Sequence, residues 1–93
     1  MIYRKIPHEV EAINFLGEET IGQMIEAWGD YFHRIMSYYP ETNILVLNRR
    51  GGPQRVELGD WVLRSGPYNF FRCSHDIFIH NYELLNKHEH MEK

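Results

Sequence analysis

The sequence predicts an α+β domain built from a small antiparallel β-meander sheet and two helices, one after the first strand and one at the C-terminus. Several short stretches alternate apolar and polar residues, which is the pattern of a strand with one buried face. One early stretch instead repeats its apolar residues every three or four positions, as an amphipathic helix does. Because most of the predicted strands follow one another directly, the pattern excludes alternating βαβ units.

The first strand is predicted over residues 7–15. Val10 and Ala12 alternate with glutamates, so their side chains are expected to share one face of the sheet. The alternation then slips at Ile13. This slip predicts a β-bulge between Ala12 and Ile13, where an extra residue would bend the strand.

The clearest helix is predicted over residues 18–28. Its apolar positions recur at helical spacing, at Ile21, Met24, Ile25 and Trp28. Two glutamates open the stretch, where the helix dipole favours negative charge. Gly29 follows the last apolar position and is predicted to end the helix.

The rest of the chain is predicted to consist mostly of strands. Clusters of Gly, Pro, Asn and Asp separate the apolar stretches and mark turns. The predicted strands cover residues 31–39, 44–47, 55–58, 61–64 and 68–73. A closing helix is predicted over residues 75–85, and the elements form one domain over residues 1–86, followed by a polar tail at residues 87–93.

The composition fits a single domain with more aromatic residues than a thin core can cover. A chain of 93 residues has room for one domain and a small core. It contains two Trp, six Tyr and five Phe, and each such ring buries about 150–250 Å². We therefore expect some rings to lie in a ligand site or in the interface of a homo-oligomer, a dimer or a tetramer.

Charge and hydropathy disfavour two classes of partner. No apolar run approaches the roughly 20 residues that span a bilayer, and the single cysteine, Cys73, suits a reducing compartment. We therefore expect a soluble cytoplasmic protein without a membrane partner. The net charge of −3 disfavours duplex nucleic acid. Seven of the ten cations are Arg, whose planar fork suits phosphates and carboxylates, with surface salt bridges as the ordinary alternative.

The last predicted hairpin gives the most specific expectation about a binding face. With Gly66 at its tip, one face carries three opposing pairs: Arg64 with Tyr68, Val62 with Phe70, and Asp60 with Arg72. The other face, expected to be the core face, carries Trp61, Leu63, Phe71 and Cys73. A shift of one residue in the turn would exchange the two faces.

Three interpretations of the first face stay open. Arginines on phosphates and rings on bases would suit a planar anionic ligand. Tyr, Phe and Arg are also the residue types enriched in subunit interfaces. The third interpretation is a solvated outer face with an ion pair between Asp60 and Arg72.

Two further stretches combine cations with rings or glycines. Tyr3 and Arg4 form a second ring-and-cation cluster, for which the alternative is an edge strand whose charges oppose aggregation. The turn at Arg49 and Arg50 contains two glycines that would let backbone N–H groups approach a phosphate. It lacks a known phosphate-binding motif, so an exposed turn is the favoured interpretation.

The sequence predicts no catalytic residues, no metal site and no cofactor. Cys73, His75 and Asp76 invite comparison with a thiol nucleophile and its base, but proximity in sequence does not bring such groups together in space. His88 and His90 in the tail lack the spacing of a zinc site. We therefore predict that the protein is not an enzyme.

Tyr-Arg-Lys-x-Pro and Val-Glu-Ala near the start, and Gly-Asp-Trp, Asp-Ile-Phe and Tyr-Glu in the second half, are motifs by which the chain resembles a widespread family of small proteins encoded by phages and prophages. Members typically begin with Tyr-Arg-Lys-x-Pro, then Val-Glu-Ala and an aromatic residue, here Tyr3, Arg4, Lys5, Pro7, Val10, Glu11, Ala12 and Phe15. Near the end they show Gly-Asp-Trp/Tyr, an aliphatic pair, a cation and Gly, then an aromatic residue, a Cys, Asp-Ile-Phe and Tyr-Glu. The corresponding residues here are Gly59, Asp60, Trp61, Val62, Leu63, Arg64, Gly66, Phe71, Cys73, Asp76, Ile77, Phe78, Tyr82 and Glu83.

The resemblance covers about half of the chain and weakens around the cysteine. Many members have Tyr-Pro-Cys-Lys-Pro where this chain has Phe-Arg-Cys-Ser-His at residues 71–75. The missing prolines leave the entry into the last helix undefined. Arg72 stands where a typical member has proline, so a ligand contact there would be peculiar to this chain.

The resemblance implies a counter-defence function. It associates the chain with homo-oligomeric phage proteins that bind a cyclic dinucleotide, such as cyclic GMP-AMP, and withhold it from CBASS-type immune effectors without cleaving it. The expected ligand-binding residues are Tyr3, Arg4, Arg64, Tyr68 and Arg72, with Trp61 as a further stacking residue if the hairpin faces are exchanged. The expected location is the cytoplasm of an infected bacterium. The alternative is a phage accessory module that docks on a host or virion protein through the same aromatic face.

Overall fold

The computed structural model describes residues 2–5 and 8–84, with the backbone alone described at residues 3–5, 8, 9, 83 and 84. The predicted tail at residues 87–93 lies outside the described residues. The helices are α1 (Glu18–Ile35) and α2 (His75–Asn81). The strands are β1 (Ile2–Lys5), β2 (His8–Asn14), β3 (Met36–Tyr39), β4 (Ile44–Arg49), β5 (Gly52–Val56), β6 (Trp61–Arg64), β7 (Phe70–Cys73) and β8 (Glu83–Leu84).

The described strands form two antiparallel sheets. Five strands pair in the order β7-β6-β2-β1-β8, and three form a meander in the order β3-β4-β5. The α+β class with antiparallel strands and two helices is confirmed. The strands lie in two sheets where the sequence predicted one, because β2 pairs with β6 and leaves β3, β4 and β5 to pair among themselves.

Two hydrophobic cores cover the two faces of the five-stranded sheet. The larger core, shared with α1 and the three-stranded sheet, contains the buried residues Phe15, Ile21, Met24, Trp28, Phe32, Leu45, Leu47, Val56, Val62 and Phe70. The smaller core, which α2 covers, contains Val10, Ala12, Leu63 and Phe78. The division explains how a short chain buries so many large side chains, since each strand of the central pair contributes to both cores.

Strand β2 shows this division most directly. Val10 and Ala12 lie in the smaller core, whereas Ile13 packs against the larger core on the opposite face. The predicted bulge does not form, because residues 11–14 pair in unbroken succession with residues 64–61 of β6. The slip in the alternation at Ile13 therefore reflects a strand that is buried on both faces.

Helix α1 is interrupted at Gly29. This residue has φ 80° and ψ −162°, so it ends the first helical segment as predicted. The chain then resumes helical structure as far as Ile35, and the strand predicted over residues 31–39 is confined to β3. Phe32 is buried in the larger core, and Tyr31 and Ile35 pack against that core. All three residues follow Trp28 at positions typical of a helix.

Helix α2 is short and capped at its first turn. The Ser74 hydroxyl accepts a hydrogen bond from the Ile77 backbone N–H at 3.4 Å, which satisfies one donor of the helix N-terminus. The helix ends at Asn81, earlier than predicted, because the chain turns into β8 and pairs with β1. Among residues 2–5 and 8–84, neither helix combines the length and the apolarity needed to cross a membrane.

A stack of three parallel rings joins α2 to the five-stranded sheet. The Trp61 and Phe78 rings lie 3.9 Å apart between centroids, and the Phe78 and Tyr82 rings lie 5.0 Å apart. Burial in this stack raises the pKa of the Tyr82 phenol above its ordinary value, and the nearby Cys73 adds to the effect. The neutral phenol is thus the form that the folded structure favours.

The kink in α1 predicts opposite effects for two glycine substitutions. Gly29→Ala is expected to lower the free energy of unfolding by about 1–3 kcal/mol, because side chains are strained in this backbone region. Gly22→Ala is the matched control within the first helical segment, where no atom lies within 4 Å of the new Cβ. It is expected to stabilise the protein by about 0.5–1 kcal/mol. Urea unfolding measures the free energy of unfolding of both variants. Equal changes in the two would contradict the conclusion that the backbone at Gly29 strains any other side chain.

The raised pKa of Tyr82 predicts a loss of stability in alkaline solution. The phenol ionises near its ordinary pKa of 10.0 in the unfolded chain and at higher pH in the folded protein. Its contribution is therefore fully present below about pH 10 and falls as the pH rises. Tyr82→Phe should reduce the difference in unfolding free energy between about pH 9 and about pH 11. A Tyr82→Phe variant that loses as much stability over this interval as the unsubstituted protein would contradict the prediction.

Candidate functional site

The structure describes the side chains of four of the six residues that the sequence predicted to bind a ligand. Tyr3 and Arg4 lie in β1, where their backbones pair with Val10 and Glu9, and their side chains are outside the described part of the chain. The other four side chains are described at Trp61, Arg64, Tyr68 and Arg72. Each of these four has a different set of neighbours, and their predicted role in ligand binding stays a prediction.

The register of the β6–β7 hairpin differs from the prediction by two residues. Arg64 pairs with Phe70 and Val62 pairs with Arg72. The strands are joined by a loop over residues 65–69, closed by a hydrogen bond of 2.9 Å from the Ser65 N–H to the Asn69 carbonyl, so the tight turn predicted at Gly66 is wrong. Because the shift is an even number of residues, the predicted division of side chains between the two faces is retained.

The hairpin face that was predicted to bind a ligand is largely buried. Val62 is fully buried and Phe70 is 2% exposed, and both belong to the larger core. The expectation that only the opposite face packs into a core is therefore wrong. Leu63 on that opposite face is buried as well, since α2 covers it. Arg72 is the exposed residue of this face within strand β7.

Arg72 is held in a structural ion pair with Asp60. Its Nε donates to Asp60 Oδ2 at 2.9 Å, and the same oxygen accepts from the Glu57 backbone N–H at 3.0 Å. The hydrogen bond with Asp60 is the main reason that the pKa of Arg72 is raised above its ordinary value. Of the three interpretations of this face, the ion pair is the one that the structure shows for Arg72.

Trp61 lies on the opposite face from the arginines. Its ring stacks on Phe78, and its Nε1 donates to His75 Nδ1 at 3.1 Å. The ring nitrogen of His75 that was considered as a base near Cys73 is thus engaged with an indole. Within the described ranges, His, Cys, Asp and Glu side chains form no group of three that would hold a metal ion.

Arg64 lines a first cleft of about 300 Å³, which lies beside the β6–β7 loop. Its Nη1 donates to Glu11 Oε1 at 3.3 Å, and the guanidinium carbon lies 5.9 Å from the centroid of the Phe70 ring. Glu11 Oε1 also accepts from Trp28 Nε1 at 2.7 Å. The first cleft is lined by Ile2, Val10, Glu11, Arg64, Gly66 and Pro67.

A second cleft of about 370 Å³ combines arginines with tyrosine rings. It lies between the end of α1, the β4–β5 turn and the β6–β7 loop. Its lining residues are Tyr31, Ile35, Asn48, Arg49, Arg50, Gly51, Tyr68, Asn69 and Phe70. Tyr68 is thus the predicted site residue that lies beside two arginines, but they are Arg49 and Arg50, in the turn for which the sequence favoured a merely exposed position.

The local structure around the second cleft follows from a few polar contacts. Asn48 Nδ2 donates to the Ile35 carbonyl at 2.8 Å and to Ser37 Oγ at 3.1 Å, which ties the β4–β5 turn to the end of α1. The Tyr31 and Tyr68 rings meet edge to face with centroids 4.9 Å apart. No atom lies within 4 Å of the position that a Cβ would take at Gly51, so a ligand has room to approach the backbone.

The second cleft brings together the chemical groups that a small anion with a flat ring would need. Two guanidinium groups supply charged donors for phosphate oxygens, Asn48 and Asn69 supply amides, and the exposed Tyr68 ring supplies a stacking surface. The doublet of arginines followed by two glycines was the available sequence signal. The sequence alone does not show that this doublet of arginines lies beside Tyr68, because that depends on how the β6–β7 hairpin is paired.

The ion pair at Arg72 predicts a structural role for Asp60. Asp60→Asn should lower the free energy of unfolding by about 1–3 kcal/mol, because the new amide group would face the guanidinium and leave buried groups without matched partners. Glu57→Gln is the control, since the Arg55–Glu57 pair is 3.6 Å long and more than 60% exposed on both sides. It should change stability by less than about 0.5 kcal/mol. Equal losses in a urea titration would contradict the assignment.

Comparison with known proteins leaves the site to be interpreted from its own geometry. The chain matches no family model, no curated protein and no solved structure. The two clefts beside the β6–β7 loop are the candidate sites, and the chemistry of their side chains indicates which ligands they suit.

Proposed function

We propose that this protein binds a small nucleotide and withholds it without cleaving it. The observation that supports the proposal is the second cleft, which Arg49 and Arg50 line together with Tyr68. The resemblance to phage proteins points to a cyclic dinucleotide as the ligand class, and to an infected bacterial cytoplasm as the place of action. The protein would then compete with an immune receptor for its signal.

The charge distribution supports binding of phosphate despite the net charge of −3. Affinity for a small anion depends on the charges within a few ångströms, and the described lining of the second cleft contains two arginines and no carboxylate. Arg49 is half-buried and Arg50 is exposed. Each guanidinium can donate two parallel hydrogen bonds to a phosphate.

The tyrosine pair supports stacking on a base. Tyr68 is 70% exposed, although its edge-to-face contact with Tyr31 fixes one side of the ring. Tyr31 in turn lies nearly parallel to Phe70, with ring centroids 6.2 Å apart, and Phe70 belongs to the larger core. The larger core therefore supports the exposed Tyr68 ring through Tyr31 and Phe70. This support reduces the conformational entropy that the Tyr68 side chain would lose when a ligand binds.

Calorimetric titration with cyclic dinucleotides, including cyclic GMP-AMP, tests the proposal. We expect a dissociation constant near 1 nM, about −12 kcal/mol, since a sponge must compete with a receptor. Arg49→Ala and Arg50→Ala should each weaken binding about tenfold or more, because each removes charge-assisted hydrogen bonds. Arg55→Ala is the matched control, at an exposed arginine paired with Glu57. It should leave affinity unchanged.

The fate of the ligand separates withholding from catalysis. After incubation and removal of the protein, chromatography should return the cyclic dinucleotide unchanged. A hydrolysed product would show that the protein is an enzyme. Binding that all three arginine variants retain would show that the second cleft is not the site.

A second candidate function, docking on a host or virion protein, is favoured by a different feature. Leu16 and Leu58 are 67% and 53% exposed. They lie on adjoining loops, since the Phe15 N–H donates to the Asp60 carbonyl at 2.7 Å and the Gly59 N–H donates to the Phe15 carbonyl at 2.9 Å. The same apolar surface is also where we propose that a homo-oligomer, a dimer or a tetramer, would form.

The two uses of this surface differ in what covers it. A Leu16→Ser and Leu58→Ser double variant that becomes monomeric in sedimentation, yet still binds the nucleotide, would support the oligomer. Loss of a specific host partner from a pull-down with the same variant, without any effect of nucleotide, would support docking.

A further inference from the structure

The first cleft places a hydrogen-bond donor and an acceptor side by side. Arg64 and Glu11 form part of one wall, with Nη1 and Oε1 3.3 Å apart. Ile2, Val10 and Pro67 add apolar surface around them. A volume of about 300 Å³ is at the small end of the range for ligand pockets and is suited to a single ring system.

Arg64 has donor capacity that the described residues do not use. Its Nη1 bonds to Glu11, and its Nη2 has no hydrogen-bond partner within the described part of the chain. The Arg64 side chain is 24% exposed and lines the cleft, so a ligand can reach the outer end of the guanidinium, whereas the Nε is buried and without an acceptor. The Phe70 ring lies beneath the guanidinium and limits its movement.

Glu11 has acceptor capacity that is equally well positioned. Its Oε1 accepts from both Trp28 Nε1 and Arg64 Nη1, which fixes the carboxylate in place. Among the described residues, its second oxygen, Oε2, accepts no hydrogen bond. The carboxylate also repels a second anion, so this cleft suits a neutral ring with donors and acceptors better than it suits a phosphate.

We infer that the first cleft is a binding site for a guanine base. Guanine presents O6 and N7 as adjacent acceptors, which match two donors of an arginine fork. Its N1–H and N2–H₂ donors lie on the other side of O6, along the Watson–Crick edge, and match the oxygens of Glu11. Adenine presents an N6–H₂ donor where guanine has O6, and an unprotonated N1 where guanine has a donor, so both contacts would be mismatched.

This inference takes its ligand class, a nucleotide, from the proposed function and adds the identity of one base. The two clefts lie on either side of the β6–β7 loop: Gly66 and Pro67 line the first, and Tyr68 and Asn69 line the second. A guanine in the first cleft and a phosphate in the second cleft would therefore contact the same loop.

Titration with nucleosides tests base recognition without the contribution of phosphate. In ¹H–¹⁵N NMR spectra, guanosine should shift the Trp28 indole N–H signal, because that group donates to Glu11. The Trp61 indole signal is an internal control, since its partner is His75 on the opposite face of the sheet. Adenosine should bind at least about tenfold more weakly, given the usual penalty for mismatched base contacts.

Two conservative variants test the residues themselves. Arg64→Lys keeps the charge and removes the fork, and Glu11→Gln replaces an acceptor oxygen with a donor amide. Each should weaken guanosine binding about tenfold or more. Arg55→Lys and Glu57→Gln make the same changes in an exposed ion pair and should have no effect. Because the Arg64 side chain is partly exposed, Arg64→Lys is expected to fold even if Glu11→Gln does not.

The outcomes separate this inference from the proposed function. Equal affinity for guanosine and adenosine, or a Trp28 signal that neither nucleoside moves, would overturn the guanine site. If cyclic dinucleotides bind through Arg49 and Arg50 with the same affinity whatever their bases, the proposed function is supported and the guanine site is not. If guanosine binds at Glu11 and Arg64 but cyclic dinucleotides do not bind, the guanine site is supported and the proposed function is not.

Discussion

The pairing of β2 with β6 is the contact on which both hydrophobic cores depend. In this pair, Ala12 lies opposite Leu63, and Ile13 lies opposite Val62. The first pair belongs to the smaller core and the second to the larger one, so consecutive residues of the same two strands serve opposite faces. A slip of one residue would move every one of these side chains into the wrong core. The register is therefore specified twice, once from each face.

Phe70 connects the larger core to both clefts. Its ring packs against Trp28 and Phe32 with centroids 5.3 and 5.2 Å away, and it is almost completely buried. It also lines the second cleft, and Arg64 of the first cleft lies over its ring. The polar groups of both sites thus rest on an aromatic cluster that is itself closely packed. Such support reduces the rearrangement that binding would otherwise require.

The sequence was informative wherever local patterns decide the structure. The α+β class, the break at Gly29 and the division of hairpin side chains between two faces all follow from periodicity and glycine conformation. The separation into two sheets and the short strand β8 depend on long-range pairing, for which no local pattern exists. Residues 31–35 were predicted to form a strand because aromatic residues are typical of strands. In the structure they are helical.

The candidate site was harder to predict for a related reason. Tyr68 and Arg64 were identified from the hairpin. Arg49, which lines the second cleft with Tyr68, and Glu11, which accepts a hydrogen bond from Arg64, come from strands that are distant in sequence. A hairpin register that was wrong by two residues placed Tyr68 opposite Arg64, whereas the loop in fact turns it toward Tyr31. Composition indicated the kinds of side chain involved, and tertiary packing decided which of them meet.

The bond from the Arg72 backbone N–H to Gln54 Oε1, at 2.7 Å, has a consequence for self-association. Strand β7 lies at one end of the five-stranded sheet, where unpaired backbone groups would otherwise template the addition of another chain. A side-chain amide from β5 occupies one of those donors and so interrupts the ladder that an incoming strand would need. Fibrils or swapped assemblies are thereby disfavoured at this border.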